Sequence, residues 1–228
     1  MIYTDLHIHS CLSPCGDDAM TPGEIVRAAR DAGLDLIALT DHNSARNCPA
    51  AAAAAREAGL GFIPGVEVTT SEEIHCICLF PDLGKAAAFS RWLDSLRPGF
   101  SNRPAVFGRQ TVMGSTGRRT EERELLFMAR RVSLTELPGA VRQYGGLFWP
   151  AHVDKPSNSL YSILGCWPED FQADAAELYF SQEPAGIPAS IKRLRASNAH
   201  RLRDIRGPGF PLPLESPDFT GLKNYLRG

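Results

Sequence analysis

Two histidines stand two residues apart near the start of the chain, in the stretch DLHIHS at residues 5–10. The pattern indicates a β-strand over residues 2–8, and side chains two apart on a strand project from the same face. His7 and His9 therefore point the same way, and two adjacent imidazoles are suited to a shared metal ion. Because an HxH pair alone is a weak motif, two ordinary histidines are an equally good interpretation of this stretch.

The other histidines lie next to further predicted strands. His42 follows LDLIAL, His152 follows GLFWPA, and His200 ends the short segment SNAH. His75 lies near the start of the strand EIHCICLF, after a strand-to-strand hairpin from which it could still reach the same rim. No histidine falls within a predicted helix, which is not expected if these residues served only packing or solvation.

A carboxylate accompanies the histidines. Glu67 lies in the apolar segment PGVEV, where an ionised side chain is costly unless it is paired or ligated. In parallel α/β barrels, the carboxyl ends of the strands and their loops form the mouth of the active site. We therefore expect five of the six histidines and Glu67 to converge there, with His75 near the same rim, around more than one metal ion.

Alternating strands and helices must position these residues. After the first strand, Thr21 and Glu24 have the spacing of a capping box that begins the helix EIVRAARDAG. The strand LDLIAL, the alanine-rich helix PAAAAAAREAG, the strands GFIPGVEV and EIHCICLF, and the helix KAAAFSRWLDSL follow. This alternation indicates βα units around a parallel sheet.

Residues 98–131 interrupt the alternation. They are rich in Gly, Pro and Arg, and their end, EERELLFMARR, is predicted to form a short helix. We interpret them as an insertion or lid on a single domain that spans residues 1–228. The alternation returns at Ser133 with SLTELPGAVRQYGG, GLFWPA and DAAELYF, followed by a predicted helix over 186–195 and a final helix DFTGLKNYL.

Composition limits the classes of function. Hydrophobic residues at 43% and charged residues at 22% are ordinary for a soluble globular protein and argue against wholesale disorder. The net charge of −2 gives no general attraction to nucleic acid or to an anionic membrane. Without an apolar run of about 18 residues or a signal peptide, we expect a cytoplasmic protein with no membrane partner.

Six cysteines are present, including a CxxxC pair, Cys11 and Cys15, and a CxC pair, Cys76 and Cys78. In a chain of this size without a secretory signal, free thiols are expected rather than a disulfide framework. Neither spacing is the CxxC of a structural zinc site, and Cys76 and Cys78 are predicted to be small core residues.

The motifs resemble those of the PHP domain family, named for polymerase and histidinol phosphatase. The matching stretches are DLHIHS at 5–10, TDHN at 40–43, GVEV at 65–68, EIH at 73–75, PAHVD at 150–154 and SNAH at 197–200. They occur in the family's order and span nearly the whole chain. The resemblance implies an α/β fold, a distorted (β/α)7 TIM-like barrel, with a trinuclear centre of manganese, zinc or iron in its mouth and phosphoester hydrolysis as the activity.

The resemblance also implies a set of metal ligands. They are His7, His9, Asp17, His42, Glu67, His75, His152, Asn198 and His200. In this scheme Glu67 bridges the metal held by the two histidines of the first strand to a second metal held by His75 and His152. His42 and His200 hold the third metal, so that two to three divalent ions are the expected cofactors.

Two departures from the family pattern concern the metal ligands. Asn198 stands where the family usually has aspartate, and a neutral amide oxygen is a weaker ligand than a carboxylate. The loop CLSPCGDDAMTP after His9 is longer than the common form, and aligning its TP favours Asp17 as the ligand, with Asp18 and Cys15 as alternatives. A thiolate at Cys15 would favour zinc or iron.

The implied chemistry needs no amino-acid nucleophile. Two metals about 3.5–4 Å apart can hold a bridging hydroxide and neutralise phosphate oxygens. Here that metal-bound hydroxide would be held through Glu67, His9 and His152. Asp5 and Asp41 closely precede ligand histidines and could orient them as hydrogen-bond acceptors. No P-loop, GxSxG or Rossmann fingerprint in the sequence supports another chemistry.

Basic residues near the mouth are candidates for binding substrate phosphate. Lys155 lies three residues past a ligand histidine, and Arg109 lies in the segment 98–131 together with Arg118 and Arg119. We expect hydrolysis of a small phosphorylated metabolite or nucleotide, with nucleic acid a less favoured partner. The alternatives are exonuclease activity on oligonucleotides, for which the arginines could form a basic track, and a non-catalytic metal-stabilised module, which the asparagine in SNAH favours.

Overall fold

The computed structural model describes residues 1–180, 183–207 and 209–228, which form alternating strands and helices. Its strands are β1 (Ile2–Ile8), β2 (Leu36–Leu39), β3 (Gly61–Thr69), β4 (His75–Leu79), β5 (Thr111–Met113), β6 (Arg119–Glu121), β7 (Leu147–Pro150), β8 (Ala175–Glu177), β9 (Lys192–Leu194) and β10 (Phe210–Leu212). Its α-helices are α1 (Pro22–Asp31), α2 (Cys48–Ala58), α3 (Leu83–Asp94), α4 (Pro104–Phe107), α5 (Leu137–Gln143), α6 (Leu160–Leu164) and α7 (Phe219–Arg227). Within the described ranges, no helix has the length and apolarity that a bilayer crossing requires.

Six strands form the main sheet, in the order β10-β1-β2-β3-β4-β7. The strands β1, β2 and β3 run parallel, as the alternation predicts, whereas β4 runs antiparallel to both β3 and β7. In the β3–β4 register Thr69 lies opposite His75. The start of β4 therefore lies at the same edge as the carboxyl ends of the parallel strands, which is why a histidine at the beginning of a strand reaches the rim.

A second, two-stranded parallel sheet of β8 and β9 connects the two sides of the main sheet. Beyond β7, the amide of Val153 donates to the carbonyl of Glu177 at 2.8 Å. Beyond β9, the carbonyl of Ala199 accepts from the amide of His9 at 3.0 Å. These bonds bring the ends of β8 and β9 next to the ends of β7 and β1.

Two apolar clusters cover the two faces of the strands. Adjacent residues of one strand enter opposite clusters: Ile37 packs with Ile25 of α1, whereas Leu36 packs with Trp149 and Leu222. This alternation is that of a sheet buried on both faces. The helices α1, α2 and α3 cover one face, and α7 contributes to the cluster on the other.

Helix α1 begins as predicted, but two predicted helices are wrong. The stretch EERELLFMARR begins at Glu121, the last residue of β6, and continues as an irregular segment with a turn. Its backbone bonds elsewhere, since the Leu126 amide donates to the Gln110 side chain and the Arg130 amide to the Thr69 carbonyl, each at 2.8 Å. Residues 186–195 contain β9, which pairs with β8. A short apolar pattern is compatible with either a helix or a strand, and the strand forms where a neighbouring strand is available for pairing.

The segment 98–131 contains α4 and the antiparallel hairpin β5–β6, and it packs against the loop after β1. The amide of Thr111 donates to the carbonyl of Cys11 at 2.7 Å. Gly108 has a φ of 96°, and a Cβ there would lie 2.0 Å from the carbonyl oxygen of Pro14. Only glycine permits this close approach.

Candidate metal centre

All six histidines meet around Glu67, whose exposed fraction is 1%. Five of them place a ring nitrogen 3.0–3.3 Å from a carboxylate oxygen of Glu67: His7, His9, His42, His75 and His152. The ring of His200 stacks on that of His9, with centroids 4.2 Å apart. The sequence-based expectation of convergence, with His75 at the same rim, agrees with this geometry.

The strand ends hold these side chains in place through backbone bonds. The amide of Glu67 donates to the carbonyl of Asp41 at 3.1 Å, and the amide of Asn43 donates to the carbonyl of Glu67 at 2.8 Å. His152 and Asn198 have φ values of 29° and 50°, a region that costs a non-glycine residue about 1–3 kcal/mol. Such strain is typical of functional sites.

Hydrogen bonds from neighbouring side chains orient two of the rings. Nδ1 of His7 donates to Glu177 at 2.9 Å, and Nδ1 of His9 lies 2.9 Å from the hydroxyl of Ser13. That hydroxyl donates to Asp41 at 2.7 Å, so Asp41 acts on a histidine through a serine. Carboxylate–histidine pairs of this kind fix the tautomer of a metal ligand.

The sequence analysis missed Glu177 and gave Asp5 a different role. Glu177 is a charged residue within the apolar strand DAAELYF, the same signal that indicated Glu67, and could have been found in that way. Asp5 accepts bonds from the amides of Ser197 at 3.1 Å and His7 at 3.4 Å. It therefore holds the SNAH segment against β1 rather than orienting an imidazole ring.

The donor atoms of the centre fit a bound cation. Among the residues that the structure describes, Oδ1 of Asn198 is buried without a hydrogen-bond partner. Both carboxylate oxygens of Glu67 and Nδ1 of His42 are also buried without a well-directed hydrogen bond, although histidine nitrogens lie 3.0–3.3 Å from the carboxylate. Nε2 of His7 lies 3.1 Å from Nε2 of His9. Ligands bound at 2.0–2.2 Å to one metal lie about 3–3.5 Å apart. These spacings are those of ligands that share cations.

Electrostatics favour the ligand forms of most of these side chains. Burial lowers the pKa of His9 well below its usual value and that of His42 to about 3, so both rings are neutral at pH 7. Burial opposes ionisation of Glu67, but the surrounding histidines hold its pKa well below the usual range. Burial also opposes the charge on His7, yet Glu177 and Glu67 outweigh it and raise its pKa to about 10.

Among the residues that the structure describes, three groups of side chains have ligand atoms that lie within 4.8 Å of one another. They are His7, His9 and Glu67; His42, Glu67 and His75; and His9, Cys15, His42 and His200. The first two groups share Glu67, the residue implied to bridge two metals. The third group contains Cys15, one of the alternatives for the loop ligand.

The other loop candidates lie outside these groups. Asp17 is exposed, and its carboxylate accepts from the amide of Ala19 at 2.8 Å. Asp18 is also exposed and lines a separate cleft. Desolvation and the charge of Glu67 raise the pKa of the Cys15 thiol to about 12, so this thiol is protonated at neutral pH until a cation stabilises the thiolate.

Of the predicted substrate-binding residues, the structure brings Lys155 to the centre. An open cleft of about 530 Å³ is lined by Lys155, Tyr179, Asn198, His200 and Arg206, among others. The ammonium group of Lys155 lies 5.3 Å from the ring centroid of the exposed Tyr179. Arg109 lines another cleft and forms an ion pair with Glu121 at 3.3 Å.

Comparison with known proteins agrees with the fold and the centre. A model of the PHP domain family matches residues 5–154, more than half of the chain. The chain belongs to the PHP domain family.

Characterised relatives and a solved structure are similar to parts of this chain or to its fold. A 3',5'-nucleoside bisphosphate phosphatase of Chromobacterium violaceum is 37% identical over 111 residues, which cover 47% of this chain and 38% of that protein. A 5'-3' exoribonuclease of Haemophilus influenzae is 38% identical over 78 residues, which cover 33% of this chain and 27% of that protein. The matches thus cover well under half of either relative.

The fold also resembles that of the lesion-specific endonuclease PfuEndoQ of Pyrococcus furiosus, with a TM-score of 0.71. The superposition covers 100% of this chain and 56% of that one, at 22% sequence identity. At this identity the similarity shows a common fold.

Proposed function

We propose that this chain is a metal-dependent phosphoesterase that hydrolyses a phosphoester of a small phosphorylated metabolite or nucleotide. The observation that carries the proposal is the convergence of six histidines and two buried carboxylates, Glu67 and Glu177, beside an open cleft that contains Lys155. Family membership and the names of the relatives support the same class of reaction. The bonds that connect β8 and β9 to both sides of the main sheet support a distorted (β/α)7 barrel with this centre in its mouth.

We also infer that residues 1–228 form one domain in which 98–131 is an insertion at the rim of the centre. The side-chain amide of Asn43 donates to the carbonyls of Leu126 at 2.6 Å and Met128 at 3.2 Å. Asn43 follows a histidine of the cluster directly, so this contact ties the insertion to the end of β2.

The cofactors of this proposal are two to three divalent ions, manganese, zinc or iron, held by the six histidines and Glu67. When bound, such ions activate water and neutralise charge on the phosphate. The chain itself supplies orientation: Glu177 keeps the proton on Nδ1 of His7, which leaves Nε2 as a donor atom. Lys155 supplies a cation that can bind a phosphate oxygen of the substrate.

The cleft favours a substrate of nucleotide size. A cleft of about 530 Å³ lies within the range of small-molecule sites, roughly 300–1,000 Å³. The exposed ring of Tyr179 offers an apolar surface for a base or another flat group, next to the ammonium of Lys155. A phosphate and a flat leaving group are thus accommodated side by side.

Substrate assays test this function. The metal-loaded protein is offered p-nitrophenyl phosphate, its bis-ester, nucleoside bisphosphates and short oligonucleotides with added Mn²⁺. We expect hydrolysis of a small ester, and we expect Lys155→Gln to raise KM more than it lowers kcat, whereas Lys85→Gln, an exposed lysine on α3, changes neither. No turnover of any ester by a fully loaded protein would contradict the proposal and favour the non-catalytic module, which Asn198 also favours.

The second candidate is exonuclease activity on oligonucleotides. It is favoured by the exposed arginines Arg118 and Arg119 on the β5–β6 hairpin and by the exoribonuclease among the relatives. If this candidate is correct, replacing both arginines by serine lowers the rate on oligonucleotides and leaves the rate on p-nitrophenyl phosphate unchanged. An oligonucleotide rate in the variant equal to that of the unsubstituted protein would contradict it.

A further inference from the structure

The loop after β1 holds Cys15 in a fixed position near the histidines. The amide of Ser13 donates to the carbonyl of Ser10 at 3.1 Å, and the amide of Gly16 donates to the carbonyl of Ser13 at 2.9 Å. Asp41 accepts hydrogen bonds from both serines. A Cβ on Gly16 would lie 2.4 Å from the carbonyl oxygen of Ser10, so the turn next to Cys15 requires glycine. These contacts define the conformation of the turn and therefore the position of Cys15.

The thiol of Cys15 belongs to a group of four potential ligands. Its sulfur and one ring nitrogen from each of His9, His42 and His200 all lie within 4.8 Å of one another. His42 also belongs to the group around Glu67, where its buried Nδ1 lies 3.0 Å from a carboxylate oxygen, so this ring connects the two groups. We propose that Cys15 supplies a thiolate ligand to a metal ion held by these three histidines.

The charge of the group supports a thiolate. Cys15 is exposed and His200 is half-buried, whereas the rings of His9 and His42 are buried. A divalent ion bound by three neutral imidazoles keeps its full charge next to these buried rings, which is unfavourable without an anion. Asp17, the carboxylate that the sequence favours here, lies outside this group and is bound to the amide of Ala19, and Asn198 is neutral. Cys15 supplies the anion when it releases its proton to solvent as the metal binds.

This ligand set has a consequence for metal selection. Imidazole and thiolate donors favour zinc or iron over manganese or magnesium. The third position therefore differs from the two that share Glu67, whose carboxylate also suits manganese. The inference rests on the metal centre of the proposed function but not on its hydrolytic activity.

Cobalt spectroscopy tests the inference without an activity assay. The full chain is stripped of metal with a chelator, kept reduced, and titrated with Co²⁺. We expect visible d–d bands from cobalt on the histidines and, in addition, a thiolate-to-cobalt charge-transfer band in the near ultraviolet. Cys15→Ser is expected to lose the charge-transfer band, to keep d–d bands, and to bind one of its ions more than about tenfold more weakly.

Two further variants make the outcome unambiguous. Cys166→Ser removes an exposed thiol outside the cluster and is expected to keep the charge-transfer band. Cys15→Asp is expected to keep tight binding without that band, which confirms that the position accepts an anionic ligand and that the loop still folds. X-ray absorption of the zinc form should contain a zinc–sulfur distance of about 2.3 Å in the unsubstituted protein and in Cys166→Ser, but not in Cys15→Ser or Cys15→Asp.

Cobalt bound by the unsubstituted chain without a charge-transfer band would overturn the assignment of Cys15 and leave the proposed function standing. A charge-transfer band of full intensity in Cys15→Ser would overturn it as well. Failure of the unsubstituted chain to bind cobalt at all would overturn both proposals.

Discussion

Nδ1 of His7 donates a hydrogen bond to the carboxylate of Glu177 at 2.9 Å, and both side chains are almost completely buried. The bond directs the opposite ring nitrogen, Nε2, towards Glu67 and His9. A residue from the second sheet thus sets the orientation of a residue on the first strand of the main sheet. The metal centre depends on both sheets.

Glu177→Gln is expected to weaken metal binding by about 10- to 100-fold, because a neutral amide is a poorer partner for the imidazole N–H and leaves Nε2 less basic. Competition with a chelator measures the affinity. Glu24→Gln, which changes a half-buried glutamate on α1 away from the centre, serves as the control and is expected to bind metal normally. Equal affinity in both variants would mean that Glu177 does not tune the centre.

Glu67→Gln is expected to remove most of the bound metal and to lower activity by at least about 100-fold. The carboxylate faces five histidines. Within the described residues, it is the one carboxylate that belongs to two of the three potential ligand groups. An amide carries no charge to hold two cations together. Metal analysis of the purified variant checks this, and retention of the full metal content would contradict a bridging role.

Asn198→Asp is expected to strengthen binding of one metal ion by about tenfold, since a carboxylate is a better ligand than the buried, unpartnered amide oxygen. The same change is expected to destabilise the metal-free protein, because it adds a poorly solvated charge. Relative to the unsubstituted protein, the unfolding temperature of the variant is therefore expected to rise with metal bound and to fall without metal. Parallel shifts in the two states would place this side chain outside the centre.

Removal of metal by a chelator is expected to lower the unfolding temperature of the unsubstituted protein. An ion present at 100 to 1,000 times its dissociation constant stabilises the native state by about 3–4 kcal/mol. For a domain of this size that corresponds to roughly 6–16 °C, and calorimetry measures it. Added zinc or manganese should restore the original temperature, whereas an unchanged unfolding temperature after complete removal would contradict coupling between the centre and the fold.

Asp218→Ala is expected to destabilise the protein by about 1 kcal/mol at pH 7, since Asp218 caps α7 by accepting a hydrogen bond from the amide of Gly221 at 2.8 Å. The same bond holds the pKa of Asp218 below its usual value of 3.8. A depressed pKa means that the stabilisation is complete above the unfolded pKa and is lost as the pH falls through the folded pKa.

The difference between Asp218→Ala and the unsubstituted protein should therefore shrink below about pH 4, in denaturant titrations at a series of pH values. Asp31→Ala, at the end of α1, is a control for loss of an exposed carboxylate and should show no comparable cost. A difference that stays constant down to pH 3 would rule out the charged cap.

Much of this centre could be predicted from the sequence, because its signals are local. The pairing of His7 with His9 follows from strand periodicity, and Glu67 is conspicuous as a charge in an apolar strand. The sequence did not indicate which segments far apart along the chain pair with one another. Instead of the helix predicted at 186–195, this segment contains the strand β9, because it pairs with β8. A local sequence pattern does not identify such a pairing partner.

The loop after β1 illustrates the same limit. Aligning its final TP with the shorter family loop favoured Asp17, yet the turn at Gly16 brings Cys15 to the histidines instead. Loop length changes the direction in which each side chain points, and that direction depends on contacts with Asp41, far away in the sequence. Spacing alone therefore does not identify which loop residue meets the metal.

The separation of 170 residues between His7 and Glu177 has a consequence for biosynthesis. The first two imidazoles leave the ribosome early, while Glu177 and His200 are translated last among their partners. A nascent chain must therefore carry an incomplete cluster until nearly all of it has emerged. Completion of the cluster is in this sense a late step of synthesis, and a chain that stops before residue 200 would lack part of its ligand set.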